Sequence, residues 1–319
     1  MKEGFELNKI LEKKEDMMCL KFDKAFHIMY ANPEHLEILT VLLSKVLKID
    51  YKLLEGNVSL LQRKSTNEKV SEKECEKDVV VSVKTDKDYR IVIEVNVKTG
   101  LFKTVLDRNM YYMFQEVGHT LKQGMKYEKI PYTVLINFNT FFVNNEQKDI
   151  IEEFHYRDKY GYILTEKSVN YNINIEECYK LWYTNDYQGK FEPYEEDLVL
   201  LCAAMMVDNQ NDFHSIVSMV RMKPEIKDLM EGLVRQRNND EKLVTEYRTW
   251  KEEEELINKA IINEVREDSF NAGIEQGIEQ TKKEMVLNMY NKNIALDIIT
   301  DCANLTEKEV KEFINNNVN

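Results

Sequence analysis

Between Tyr89 and Lys98 the chain reads YRIVIEVNVK, and apolar and polar positions alternate. Successive strand residues point to opposite faces, so Ile91, Ile93, Val95 and Val97 share one side, and Arg90, Val92, Glu94, Asn96 and Lys98 the other. The preceding run, DVVVSVK, sorts in the same way: Val79, Val81 and Val83 against Asp78, Val80, Ser82 and Lys84. With the turn-like TDKD between them, the two runs predict a β-hairpin. Taken alone, the alternation describes a strand pair with one face in the core and one in water.

The periodicity changes on either side. NPEHLEILTVLLSKVL predicts a helix over Pro33–Lys48, with Asn32 as its N-cap. Residues 62–77, QRKSTNEKVSEKECEK, are almost wholly polar and predict a loop. Helical spacing returns over Lys103–Gln123, with Val105, Leu106, Met110, Met113, Phe114 and Val117 as the apolar face. YTVLINF, Tyr132–Phe138, reads as a buried strand reached through a helical crossover, hence parallel to a neighbour. GYILTEK and VNYNINI predict a further strand pair, and helices dominate from about Glu195.

In the last part, GIEQGIEQ places Gly273 and Gly277 four residues apart on a helix. Each glycine destabilises that helix by roughly 1 kcal/mol relative to alanine, which suggests close packing there. The tail NIALDIITDCANLTEKEVKEFI predicts two short helices, the second opened by a capping box of Thr306 and Glu309.

Composition narrows the function classes. At 319 residues with 43% hydrophobic and 32% charged positions, the chain can bury a sizeable core. A formal net charge of -13 repels nucleic acid and anionic membrane, so contact with DNA requires a local basic patch or bridging cations. Cys19, Cys75, Cys178, Cys202 and Cys302 form no CxxC pair, and the five histidines show no HExxH spacing, which argues against zinc and fits a reduced, cytoplasmic setting. MKEGFELNKILEKKEDMM lacks the apolar stretch of a signal peptide, and no window offers 18 apolar residues for a membrane span.

The candidate chemistry lies in the hairpin. Alternation accounts for Glu94 as a solvated strand residue, but it does not require Asp78 at the head of one strand and Glu94 sixteen residues later on the same side of the next. Two such carboxylates could converge on one cation. Magnesium keeps several waters and often takes only one or two carboxylates, and it supports phosphodiester hydrolysis without a histidine or cysteine nucleophile.

The order of KFDKAF (Lys21–Phe26), DVVV from Asp78, IEVNV (Ile93–Val97), RNMYY (Arg108–Tyr112) and GMKYEKIPYTVLINF (Gly124–Phe138) resembles the PD-(D/E)xK nuclease family transposases, the Rpn-type recombination-promoting nucleases. FHYRDKYGYILTE and the glycine–glutamate tandem extend the resemblance over most of the chain. It implies an α/β fold with a restriction-endonuclease-like core, a mixed central sheet flanked by helices, and a largely helical C-terminal region. The corresponding divisions are 1–190 for the nuclease-like domain, 191–268 for a helical region and 269–319 for a tail suited to oligomerisation or docking.

The resemblance also implies Asp78 and Glu94 as ligands of Mg2+ or Mn2+, with DNA as the partner. The family's second motif reads glutamate, any residue, glutamine, where more distant nucleases carry lysine. Here that position is Asn96, which can hydrogen-bond water or phosphate but carries no charge. Lys98, on the same face, is the candidate substitute. Asp23 and Arg108 are placed near the site, Arg108 as a phosphate contact. His27 reads as a packing or surface residue, and the aromatic set Tyr111, Tyr112 and Phe114 as helix packing rather than base stacking. Two functions follow: a metal-dependent DNA endonuclease associated with recombination or transposition, or a catalytically degenerate nuclease fold that binds or regulates through its helical half.

Overall fold

The computed structural model describes residues 16–61, 78–96, 102–120, 124–143 and 149–315. They pack as two compact units, Met1–Glu253 and Glu254–Asn319.

The first unit is built on a six-stranded mixed sheet of β1 (Val58–Leu60), β2 (Val79–Lys84), β3 (Asp88–Asn96), β4 (Tyr132–Asn139), β5 (Ile151–Phe154) and β6 (Ser168–Asn174), in the order β1-β2-β3-β4-β6-β5. β2 and β3 form the expected antiparallel hairpin. β3–β4 are parallel, as a helical crossover requires, and β4–β6 are parallel with β5 between them in the chain.

One face of the sheet carries Val79, Val81, Val83, Ile91, Ile93, Val134, Ile136, Phe138 and Ile173, all essentially inaccessible. They join one core with α1 (Asp23–Tyr30), α2 (Leu36–Val46), α5 (Ile175–Thr184), α6 (Pro193–Met206), α7 (Gln210–Met219), α8 (Pro224–Asn238) and the start of α9 (Glu241–Asn291). The other face is covered by α4 (Phe102–Thr120), whose Met113 packs on Val92 and Leu135.

Several local expectations are corrected. α2 begins at Leu36, because Asn32 accepts the Glu34 N–H at 3.0 Å and closes a turn ahead of the helix instead of capping it. GYILTEK is not a strand: only Ile163 bridges, to Arg157, while Tyr162 and Leu164 stand in solvent. The partner of β6 is IEEF, disguised by two consecutive glutamates.

α4 turns Val105, Asn109, Tyr112, Met113 and Glu116 inward and leaves Met110, Tyr111 and Phe114 exposed. The expected apolar face of α4 is thus rotated, and of the aromatic set Tyr112 alone is buried, while Phe114 meets Tyr156 at 6.0 Å between ring centroids. The cause is the sheet beneath, which is polar. The loop expected at 62–77 lies outside the described residues.

The second unit has its own small core of Val286, Ile299, Ala303, Val310 and Ile314, from the end of α9, α10 (Leu296–Ala303) and α11 (Glu307–Asn315). The capping box is present: Thr306 N–H donates to Glu309 Oε2 at 2.7 Å, and Glu309 N–H to Thr306 Oγ1 at 3.4 Å. The Thr306 hydroxyl, which donates to Glu309 Oε2 at 2.7 Å, and the Thr306 N–H hold the Glu309 carboxyl below its ordinary range. A methyl group at Gly277 would meet no atom within 4 Å, so the close packing expected around GIEQGIEQ is not found at that glycine. No helix among the described residues is long and apolar enough to cross a membrane.

Candidate active site

The hairpin sets the geometry. Thr85–Lys87 close it, and the pairing Lys84↔Asp88 runs back to Val79↔Ile93, which leaves Asp78 opposite Glu94. A register slip of one residue would send either carboxylate to the apolar face. The backbone ties the pair together: Asp78 N–H donates to Glu94 Oε1 at 3.2 Å, and Val95 N–H donates to Asp78 Oδ2 at 2.8 Å.

Glu94 is 2% exposed. The face that alternation alone assigns to water is therefore buried, and the bland reading of Glu94 as a solvated strand residue is corrected. A buried carboxylate is retained only with compensation, which comes partly from Arg108, whose Nη2 lies 3.6 Å from Glu94 Oε2.

Arg108, in the second turn of α4, also donates to Asn96 Oδ1 and lies over the Tyr112 ring at 5.7 Å. Its side chain remains 42% exposed, so the guanidinium stands at the mouth of the site. Burial pushes the Asp78 carboxyl above its ordinary range. The Val95 N–H opposes this, Asp23 adds to it, and His27 and Arg108 lower it.

Asp23 opens α1, and His27 Nε2 lies 2.9 Å from Asp23 Oδ1 one helical turn on. α1 is held by the buried Arg237, whose Nη2 donates to Met18 O at 2.6 Å and Nη1 to Ala25 O at 3.5 Å. Desolvation lowers Arg237 to about 10. Asp23, Asp78, Glu94, Asn96 and Arg108 are thus brought together at one end of β2 and β3. Lys98 lies outside the described residues.

Residues absent from the sequence reading surround this group. Asn137 and Asn139 of β4 and Asn170, Asn172 and Asn174 of β6 fall at every second position, hence on one face, and Asn109 of α4 meets them from above. Asn137, Asn139, Asn172 and Asn109 are each at most 2% exposed. The signal was present in YTVLINFN and NYNIN: asparagines at i, i+2 inside runs otherwise fit for a core.

As a metal site the donor set is sparse. Among the described residues no group of three or more His, Cys, Asp or Glu is placed to hold an ion. Two carboxylates converging from paired strands nonetheless fit a hard divalent cation that completes its shell with water and phosphate oxygens.

A mixed sheet flanked by helices, with two acidic residues at one end of its central hairpin and a helical C-terminal region, defines a PD-(D/E)XK-type nuclease fold. The family model described as PD-(D/E)XK nuclease family transposase matches residues 20–248, and the chain belongs to that family. Nucleases of this type generally use divalent metals. Neither the curated proteins nor the solved structures provide a significant match.

Proposed function

We propose that the protein is a divalent-metal-dependent DNA endonuclease, with Mg2+ or Mn2+ held by Asp78 and Glu94. The observation that carries this reading is the cross-strand pair itself: Glu94 at 2% exposure and the partly buried Asp78 directly opposite, with the exposed Arg108 at their edge. Burying carboxylates side by side is unfavourable unless a cation is part of the design.

When bound, the ion supplies Lewis-acid polarisation and neutralises charge at the scissile phosphate. The chain supplies the rest. The Val95 N–H orients Asp78, the Asp78 N–H orients Glu94, and Arg108 offers a planar fork of donors to phosphate oxygens. Asn96 turns its carbonyl to Arg108 and its amide nitrogen to Asn139 Oδ1 at 2.9 Å, so its task in this reading is to hold Arg108. A chain of net charge -13 meets DNA locally, through this cation and the bound metal.

The test is incubation of supercoiled plasmid with Mg2+ or Mn2+. Wild type converts it to nicked or linear forms, and Asp78→Ala and Glu94→Ala purified in parallel do not. Equal cleavage by wild type and Asp78→Ala sinks the assignment.

A second reading is favoured by Asn96, an uncharged residue where distant nucleases have lysine. In it the fold is catalytically silent and acts as a binding or regulatory module through its helical C-terminal half. Metal-dependent cleavage by the wild type that is absent from both alanine variants excludes it.

A further inference from the structure

Asn139 lies on β4, directly across from Asn96 in the parallel register, and is 1% exposed. Its Oδ1 accepts from Asn96 Nδ2 at 2.9 Å, and its own Nδ2 donates to Asn172 Oδ1 at 3.0 Å. Asn172 Nδ2 donates to Asn170 Oδ1 at 3.1 Å, which also accepts from Asn137 Nδ2 at 2.7 Å; Asn137 Oδ1 in turn accepts from Asn109 Nδ2 at 2.6 Å. Amides, all buried except the partly exposed Asn170, thus form a chain across β3, β4 and β6 that ends at the exposed guanidinium of Arg108.

A carboxamide has a donor end and an acceptor end, so each link fixes the orientation of the next. Because Asn139 offers its carbonyl to Asn96, Asn96 must turn nitrogen toward β4 and oxygen toward Arg108. The reverse orientation would set two carbonyls against each other at Asn139 and two donors against each other at Arg108. If only filling were needed, β4 shows the alternative on its other face, where Ile136 and Phe138 pack without any polar atom. A buried polar row is tolerated only when satisfied, and once satisfied it is rigid.

We infer that Asn139 is a positioning residue, which locks the amide of Asn96 and through it holds the Arg108 guanidinium at the place where a phosphate would be bound. The inference takes its purpose from the nuclease reading; its geometry stands without it.

Two readouts on the full-length protein test it. The first is the side-chain 15N–1H resonances of Arg108, which report whether the guanidinium is held. Asn139→Ala is expected to free them to the same extent as Asn96→Ala. The second is a double-mutant cycle on plasmid cleavage. Asn139→Ala is expected to lower the rate about 10–100-fold in the Arg108 protein, the usual range for a residue that orients a site group, and less than about twofold in Arg108→Ala.

A purely structural asparagine would give the same loss in both backgrounds and leave the Arg108 resonances as they are. Either result overturns the inference. If wild type does not cleave DNA, the nuclease reading fails by itself and the Arg108 resonances alone decide. If Asn139→Ala does not fold, Asn172→Ala removes the anchor of Asn139 and is read in the same way, with unchanged Arg108 signals as the contrary outcome.

Discussion

The two faces of the sheet are both buried at their centre and differently made. On one, Ile91, Ile93, Val134, Ile136 and Phe138 are buried by contact with apolar helices. On the other, Glu94, Asn96, Asn137, Asn139 and Asn172 are just as inaccessible, yet hydrogen bonds and one arginine satisfy them. Apolar burial is non-directional and stabilises whatever fits. Amide and carboxylate contacts are directional and stabilise one arrangement. The first face accordingly contributes stability without fixing any one geometry, and the second fixes where the charged groups of the site stand.

The strongest way to break this comparison is Glu94→Ala. Loss of a metal ligand is expected to slow plasmid cleavage about a thousandfold or more, equivalent to roughly 4 kcal/mol of transition-state stabilisation. Circular dichroism should show the fold retained. If unfolding accompanies the lost activity, Glu94 is needed for the fold itself and the comparison fails.

Next in size is Asn137→Leu, which strands the Asn109 donor and removes one of the two amides that donate to Asn170 Oδ1. Denaturant titration should show a loss of about 1–3 kcal/mol, part of which returns in the double variant with Asn109→Leu, because removing both partners leaves fewer groups unmet. On the apolar face of the same strand, Ile136→Val should cost about 0.5–1.5 kcal/mol and leave the cleavage rate of the folded protein within about twofold. Both adjacent residues would then move stability, Asn137 through unmet polar groups and Ile136 through lost packing.

The smallest effect is expected from Asp78→Asn in the presence of a chelator. Burial holds the native Asp78 carboxyl above its ordinary value of about 3.9. Between that value and the raised one, the native state binds more protons than the unfolded chain, so stability falls as pH rises through the window. Above the window the full penalty remains. The asparagine variant lacks it and should melt above wild type at pH 7, with the difference vanishing below about pH 3.9. Added Mg2+ should narrow the gap by stabilising only the chain that binds it.

Much of the frame was legible in the chain. The β2–β3 hairpin, the crossover through α4 and the parallel β4 follow from a period that changes from 2 to 3.6 and back. That Asp78 and Glu94 share one face of the hairpin was legible too, from the alternation; their direct opposition comes from the three-residue turn Thr85–Lys87, with Asp88 already paired in β3, which TDKD as the turn does not give. What lay hidden was the environment of that face. Period-2 alternation is the same whether the polar side meets water or a helix that turns Asn109 and Glu116 inward, and only the tertiary partner distinguishes them. The same ambiguity rotated α4 in the reading, because Met110 and Phe114 fit a helical apolar stripe as well as Tyr112 does. GYILTEK outscored IEEF as a strand because local propensity counts tyrosine and leucine, whereas an edge strand four residues long is selected by pairing with β6.

The central claim is that Asp78 and Glu94 together hold one divalent ion. Its most direct test is the electron paramagnetic resonance signal of free Mn2+ titrated into the full-length protein bound to a non-cleavable duplex, with wild type compared with Asp78→Ala, Glu94→Ala and Ile136→Val. The account predicts a saturable Mn2+ site in wild type and Ile136→Val that is lost in both carboxylate variants. Four superimposable titrations would contradict it.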